Sequence, residues 1–356
     1  MEKYLENIKV FVMSKDPVYI GTGGFTIGRV DNTIIRDPST KIPKIPGSSI
    51  SGTWRSFMSI CLNSYFKEEC QDLEERRKFI HENESNKLKV FLDNTPNKWV
   101  RQEKNIFSKL KCAGQDEPNE NFSSENSKGH CGKCIVCKSF GFSKNDKSNQ
   151  GQVFISDMNI LFFPVPSRFG VKWVTSPRLL NDALNIKIID EISNETAKSF
   201  EANNNSSINL GWINLKLTGL KNNLTAEEKT KTNETLNNKI IKTLNNKIDI
   251  KDIIIVSDTI ISQIINSNLE VRTSVSIDPL TGAAKDKALF TSEAIPRGTI
   301  FYSELRIFKR STNDFEISQI KNALIESKIL FESLGVGGMT TRGFGRIELF
   351  FNNPEN

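Results

Sequence analysis

Ile42-Pro43-Lys44-Ile45-Pro46-Gly47-Ser48-Ser49-Ile50-Ser51-Gly52-Thr53-Trp54-Arg55 is the stretch on which the fold turns. Ser48 and Ser49 can cap the free N–H groups of a helix start. Beyond them Ile50, Trp54, Phe57, Met58, Cys61, Leu62 and Tyr65 recur along one helical face. Cys61 on that stripe reads as a buried small hydrophobe. Upstream, Ile8-Lys9-Val10-Phe11-Val12-Met13-Ser14 has the β-branched and aromatic content of a strand. Between strand and helix lie a glycine-rich segment, Tyr19–Gly28, and a connector carrying Asp31 and Asp37. The glycines match neither the dinucleotide fingerprint nor a P-loop, since no helix start and no Gly-Lys-Ser/Thr follow in the right place.

The last third repeats the plan. Asp252–Val256 reads as a strand, and Ser257-Asp258 as the cap of a short helix through Ile265. Residues 270–301 alternate like a long hairpin tipped by Asp278-Pro279-Leu280-Thr281-Gly282. A strand over 299–308 precedes an amphipathic helix over 315–333, with Gly335 as its stop. Gly335-Val336-Gly337-Gly338-Met339-Thr340-Thr341-Arg342-Gly343-Phe344-Gly345-Arg346 then leads into a terminal strand, Ile347–Phe351. In the middle, residues 152–157 and 160–166 read as strands, and 192–250 as a solvated polar insertion without a core of its own. The whole is α+β and suits two packed ferredoxin-like units or one such unit heavily decorated.

Composition limits the chemistry. The 356 residues carry 48 basic and 42 acidic side chains, so the +6 balance permits a nucleic-acid partner without demanding one. Only two histidines, His81 and His130, are present, which nearly removes a His acid–base pair or a three-His metal site. The N-terminus has acidic residues and no apolar core like that of a signal peptide, and no apolar run suits a membrane span. A cytoplasmic location and no membrane partner are therefore expected.

Four motifs remain. Cys131, Cys134 and Cys137 form two overlapping C-x-x-C steps, with His130 adjacent and Cys112 upstream. Three thiolates around one point suit a structural Zn²⁺, with Cys112 preferred over His130 as the fourth ligand; an iron–sulfur cluster or free thiols are the alternatives. The start of the first helix offers N–H groups and hydroxyls to an anion, with Arg55 about two turns in; ordinary helix capping explains it equally well. The C-terminal glycine loop either approaches phosphates, with Arg342 and Arg346 adding charge, or is a plain turn. Asp31 and Asp37 are either Asx-turn residues or carboxylates for a divalent ion or a 2′-hydroxyl.

Together these segments resemble the RAMP proteins, the backbone subunits of type III CRISPR interference complexes. The likeness rests on Ile27–Asp37 with Ile42–Arg55, on Cys131–Cys137 leading to Ser139-Phe140-Gly141, and on Phe163-Pro164-Val165-Pro166-Ser167 with Trp173-Val174-Thr175-Ser176-Pro177. Ile277–Ala284 through Ile295-Pro296-Arg297-Gly298-Thr299 and the terminal glycine loop complete it. The proline and tryptophan segments and the length look more like the Cmr-type (III-B) branch than the Csm-type. Ser51 stands where the family pattern has Lys.

The resemblance implies an RRM/ferredoxin-like palm with a zinc-binding fingers insertion and a β-hairpin thumb. The palm would comprise 1–70, 151–191, 251–271 and 298–356, with the zinc-binding insertion at 71–150, the polar insertion at 192–250 and the thumb at 272–297. It implies copies of the chain stacked along a CRISPR RNA beside other type III subunits. It also implies target-RNA cleavage through Asp31, dependent on Mg²⁺ or Mn²⁺ and leaving a 5′-hydroxyl and a cyclic phosphate. The RNA contacts are expected at Gly23, Arg29, Arg36, Ser48, Ser49, Ser51, Arg55, Arg272, Arg297, Gly337, Gly338, Thr340, Arg342 and Arg346. The competing readings are a non-cutting scaffold of the same kind, a processing ribonuclease, which the two ill-placed histidines disfavour, and a plain zinc-stabilised RNA-binding module.

Overall fold

A computed structural model describes residues 4–23, 30–64, 102–103, 106–107, 112, 134–144, 147–184, 192–200, 206–220, 241–311 and 314–352. The expected RNA contact Arg29, the ligand candidates His130 and Cys131, and His81 lie outside them, as do Gly24–Gly28, Tyr65 and most of 71–150. The chain divides into two compact units. Unit 1 comprises Met1–Ile8, Gly47–Ser156 and Glu304–Phe331, and unit 2 comprises Lys9–Pro46, Asp157–Ser303 and Glu332–Asn356.

The first half of the chain contains β1 (Leu5–Ser14), β2 (Lys44–Ile45), α1 (Gly47–Ser64), the short strands β3 (Gln102–Glu103) and β4 (Ile106–Phe107), and α2 (Ile135–Phe140). It continues with β5 (Phe142–Lys144), β6 (Lys147–Asn149), β7 (Val153–Ile155), β8 (Met158–Ser167), β9 (Gly170–Thr175) and α3 (Pro177–Leu184). Next come β10 (Thr196–Ser199), β11 (Ser206–Leu210), β12 (Ile213–Gly219), β13 (Ile253–Val256) and α4 (Ile261–Ser267). The hairpin strands β14 (Glu270–Ile277) and β15 (Ala284–Ala294) follow, then β16 (Ile300–Phe308), α5 (Ile317–Ser327), α6 (Ile329–Ser333) and β17 (Ile347–Asn352).

In unit 1, α1 buries the face its sequence announces. Ile50, Trp54, Phe57 and Met58 are buried, and Cys61 is half-buried. The indole N–H of Trp54 donates to Ser327 Oγ at 3.0 Å, on α5, and its ring meets Phe331 edge-on with centroids 5.4 Å apart. The helix begins at Gly47, just ahead of the expected serine caps. A side chain at Gly47 would stand 2.4 Å from the carbonyl oxygen of Ile155, so glycine is what lets the helix start pack this closely on β7. The single helix expected over 315–333 is two, α5 and α6, with Lys328 between them.

Most of the large sheet, in the order β11-β12-β10-β13-β9-β8-β16-β1-β17, belongs to unit 2. β8 pairs antiparallel with β9, β9 runs parallel to β13, and β1 pairs antiparallel with β17 from Lys9↔Asn352 to Ser14↔Ile347. Phe11, Phe162, Leu180, Ile253, Ile255 and Ile300 form the buried centre. Here the expectation of a solvated insertion at 192–250 needs correction. β10 and β12 pair with each other and β11 with β12, extending the sheet, while Ile192, Phe200, Leu220, Ile241, Leu244 and Ile248 join the core cluster. The reason is alternation: Ile208 and Leu210 of β11 are buried, as are Leu215 and Leu217 of β12, while Asn214 and Lys216 are exposed.

The hairpin expected over 270–301 is β14 and β15, paired from Glu270↔Ala294 with a register irregularity between Val275 and Ile277. Ile277, Leu280 and Leu289 near its tip are exposed, Leu280 to 94%. Among the described residues no helix is long and apolar enough to cross a membrane.

Candidate functional site

The connector that carries Asp31 is fastened, within unit 2, to the second strand of the hairpin. Asn32 bridges Ser292 in parallel register; its N–H donates to Thr291 O at 3.0 Å, and Glu293 N–H donates to Asn32 O at 3.0 Å. Asp31 itself is exposed. Its Oδ2 accepts from the backbone N–H and from the hydroxyl of Thr291, each at 2.8 Å, and that hydroxyl accepts from Asp31 N–H at 3.0 Å. These donors, the Thr291 backbone N–H first, hold the carboxyl below its ordinary value of 3.8. The side chain is thus a fixed carboxylate, with both Thr291 bonds falling on Oδ2. It can accept a proton, orient a hydroxyl or ligate a cation.

Arg36, an expected RNA contact, is occupied by protein groups. It pairs with Glu293 at 2.7 Å, and it donates through Nε to Asn266 Oδ1 at 2.8 Å and through Nη1 to Ile34 O at 3.0 Å. It tightens the connector against the hairpin and α4. Asp37, the other loop aspartate, forms an Asx turn: its Oδ1 accepts from Ser39 N–H, Ser39 Oγ and Thr40 N–H. Those bonds, that of the Thr40 N–H first, hold its carboxyl far below the usual carboxylate range. Lys44 pairs with Asp157 at 2.7 Å and with Asp37 at 3.4 Å.

The glycine-rich loop is packed on the segment before it in the site. Gly338 N–H donates to Tyr19 O at 3.0 Å and Gly345 N–H to Pro17 O at 2.8 Å. Gly337 (φ +86°) and Gly345 (φ +86°) lie in the left-handed region, and added Cβ atoms would stand 2.3 Å from Tyr19 O and Val336 O respectively. Close backbone packing therefore requires both glycines, whatever the loop binds. Thr340 lies in the turn Thr340–Arg342 that crowns the loop, and Gly23 also has positive φ (79°).

Four arginines belong to this part of unit 2. Arg272, on β14, pairs with Glu270 at 2.6 Å, donates to Gly343 O at 3.3 Å and covers the Phe344 ring at 4.7 Å. It links hairpin to glycine loop, and its register partner is Ser292, next to Thr291. Arg346 grips Asp16 through two nitrogens, the second at 2.9 Å. That bond, aided by the charges of Arg297 and Arg272, holds the Asp16 carboxyl low. Arg297 and Arg342 are exposed and make no side-chain hydrogen bond or ion pair among the described residues.

In unit 1, Ser48 at the start of α1 is exposed while Ser49 and Ser51 are half-buried. Arg55, expected at a phosphate, faces the cysteines instead. It donates to Cys112 O and to Gly141 O, each at 2.6 Å, and its Nη2 lies 3.8 Å from Cys137 Sγ. Cys112, Cys134 and Cys137 are buried with their sulfurs all within 4.8 Å of one another. Cys134 caps α2 and its Sγ accepts from Cys137 N–H at 3.4 Å. Zinc–thiolate bonds of about 2.3 Å in a tetrahedron put sulfurs about 3.8 Å apart, so this clustering fits a Zn²⁺ site. Cys112, the preferred extra ligand, is brought to the pair.

Sequence reasoning missed Thr291 and Glu293. They lie about 260 residues from the loop they hold, and no local pattern announces such a partner. Threonine and glutamate on a strand are ordinary.

The RAMP superfamily pattern matches residues 13–348. The Cmr endoribonuclease Cmr4 of Pyrococcus furiosus is 24% identical over 217 residues, 58% of this chain and 71% of that protein. The Csm3 endoribonuclease of Enterococcus italicus is 48% identical over 44 residues, but these span 12% of this chain and 21% of that one. Among solved structures, a type III-B Cmr-beta complex in its apo state contains a chain with TM-score 0.57 and 14% identity, 98% of each chain being covered. Oligomeric Cmr4 of Pyrococcus furiosus gives 0.55 and 18%, covering 98% of this chain and 99% of that one. These structures share the fold.

Proposed function

This chain belongs to the RAMP superfamily, and from that premise we propose that it is a guide-RNA-binding backbone subunit of a Cmr-type type III effector complex that cuts guide-paired target RNA through Asp31. The observation that carries the reading is the placement of Asp31: an exposed, ionised carboxylate pinned by Thr291 to the base of an exposed, apolar-tipped hairpin. A thumb of that kind can wedge into a duplex, and a carboxylate fixed at its base would stand beside the displaced nucleotide.

The chemistry asks little of the protein. The 2′-oxygen of the target attacks the adjacent phosphorus and the 5′-oxygen leaves, giving a cyclic phosphate and a 5′-hydroxyl. In-line alignment and neutralisation of charge lower the barrier, which suits a two-histidine chain. Among the described residues Asp31 belongs to no cluster of three metal-ligating side chains. A Mg²⁺ or Mn²⁺ ion there would take one carboxylate and complete its shell with RNA phosphate oxygens and water, as such ions commonly do. When bound it would offset charge building on the phosphoryl group. Asp31 would hold or orient the 2′-hydroxyl or the ion, Thr291 would fix Asp31, and Arg297 and Arg342 would be free for phosphates. The buried cysteines would hold Zn²⁺ as a structural ion.

Relatives named as Cmr and Csm endoribonucleases, and neighbours titled as Cmr complexes with and without target RNA, support assembly on RNA, with other subunits and with further copies of the chain. A second reading has its own support. The Thr291 bonds also make Asp31 a fastener of the connector, as a non-cutting scaffold would need. Asp31→Ala separates them in the assembled complex with guide and target RNA. Loss of cleavage by two or more orders of magnitude with target affinity kept is expected. Unchanged cutting at every site sinks the catalytic claim.

A further inference from the structure

We infer that Arg55 is a positioning residue for the metal site, binding together the two chain segments that carry the thiols, and not a phosphate contact. The inference rests on the zinc reading above and goes beyond it, since it assigns the site's organiser. Cys112 and the Cys134–Cys137 segment are separate pieces of unit 1, and α1 supplies the side chain that touches both. Arg55 Nε donates to the carbonyl of Cys112 itself at 2.6 Å. Its Nη1 donates to the carbonyl of Gly141, the residue that caps the C-terminal end of α2, at 2.6 Å.

Gly141 is not a passive acceptor. Its φ of +75° turns the chain at the end of α2, and a side chain there would stand 2.6 Å from Gly151 N. The close approach of residues 149–151 locks that carbonyl in place, so the guanidinium meets a rigid partner. The third contact is with the ligand atom: Nη2 lies 3.8 Å from Cys137 Sγ. Thiolates gathered on one Zn²⁺ leave net negative charge, and a fixed arginine beside a buried sulfur offsets it. Arginine fits this task because its planar fork addresses two carbonyls and a sulfur at once, which a lysine ammonium cannot.

The test uses the full chain as purified, with Zn²⁺ alone as the ligand. Metal content of the unaltered chain is measured first, then zinc affinity by competition with a chromophoric chelator. Arg55→Gln and Arg55→Ala should weaken zinc binding about 10- to 100-fold, the range for lost outer partners of metal ligands. Arg55→Lys keeps the charge but not the fork and should remain weakened. With Co²⁺ in place of Zn²⁺, the sulfur-to-metal absorption band should shift in the Gln variant, which a mere packing role would not cause. At saturating Zn²⁺ the salt dependence of guide-RNA binding should be that of the unaltered chain. Unchanged zinc affinity with a shallower salt dependence would make Arg55 a phosphate contact and overturn the inference. An unaltered chain without bound zinc would overturn the zinc reading and the inference with it.

Discussion

Asp31 carries its charge on a side chain held by Thr291. Both Thr291 bonds reach Oδ2, and they favour the ionised form. Because the folded carboxyl lies below 3.8, its contribution to stability is complete above that value and is lost as pH falls through the lowered folded value. Thr291→Val deletes the hydroxyl donor and leaves the backbone one. A carboxyl-carbon NMR titration should then show the Asp31 midpoint moving up toward 3.8 without reaching it; a midpoint that does not move would mean the hydroxyl bond is absent in solution. If the proposed role holds, the same variant cuts target RNA more slowly while binding it normally, because the carboxylate is loosened while the backbone pairing of the hairpin is kept.

At the scale of elements, the glycine-rich loop is defined by how tightly it folds on itself and on the Pro17–Tyr19 segment. Val336 N–H donates to Gly345 O at 2.9 Å, and an added Cβ on Gly345 would stand 2.3 Å from Val336 O. Gly345→Ala therefore meets two penalties, a left-handed backbone and an overlap with backbone that has no flexible end to yield. A loss of about 1–3 kcal/mol is expected in reversible denaturant unfolding, from the strain of a non-glycine residue at such a position. Gly23, at φ +79° with nothing within 4 Å of its added Cβ among the described residues, bears only the backbone part and should lose less. Equal losses at the two positions would show that the packing on Val336 contributes nothing. The contrast divides the glycines of the two glycine-rich segments by physical duty, which counting them in the sequence could not do.

Over the whole molecule, the sequence announces what is local and hides what is distant. The α1 face, the first strand, the hairpin with its tip and the last strand follow from periodicity and turn residues within a few positions of each other. The strands at 196–219 escaped because Asn, Lys and Ser dominate the segment's composition, although β12 alternates Ile213, Leu215, Leu217 with Asn214 and Lys216. The arginines show the same limit more sharply. All six described arginines expected at RNA look alike in sequence, yet Arg36, Arg55, Arg272 and Arg346 bond to protein groups while Arg297 and Arg342 make no such bond among the described residues. That division yields a quantitative expectation for the assembled chain on guide RNA. Each phosphate a side chain neutralises adds about 0.7 to the negative slope of log affinity against log salt for a single strand. Arg342→Ala and Arg297→Ala should each make the slope shallower by about 0.7, and together by about twice that. Arg36→Ala should leave the slope unchanged and act through the Asp31 connector it braces against Glu293, lowering stability instead. A shallower slope for Arg36→Ala, or an unmoved one for Arg297→Ala and Arg342→Ala, would mean that the guide RNA runs along a different face of unit 2.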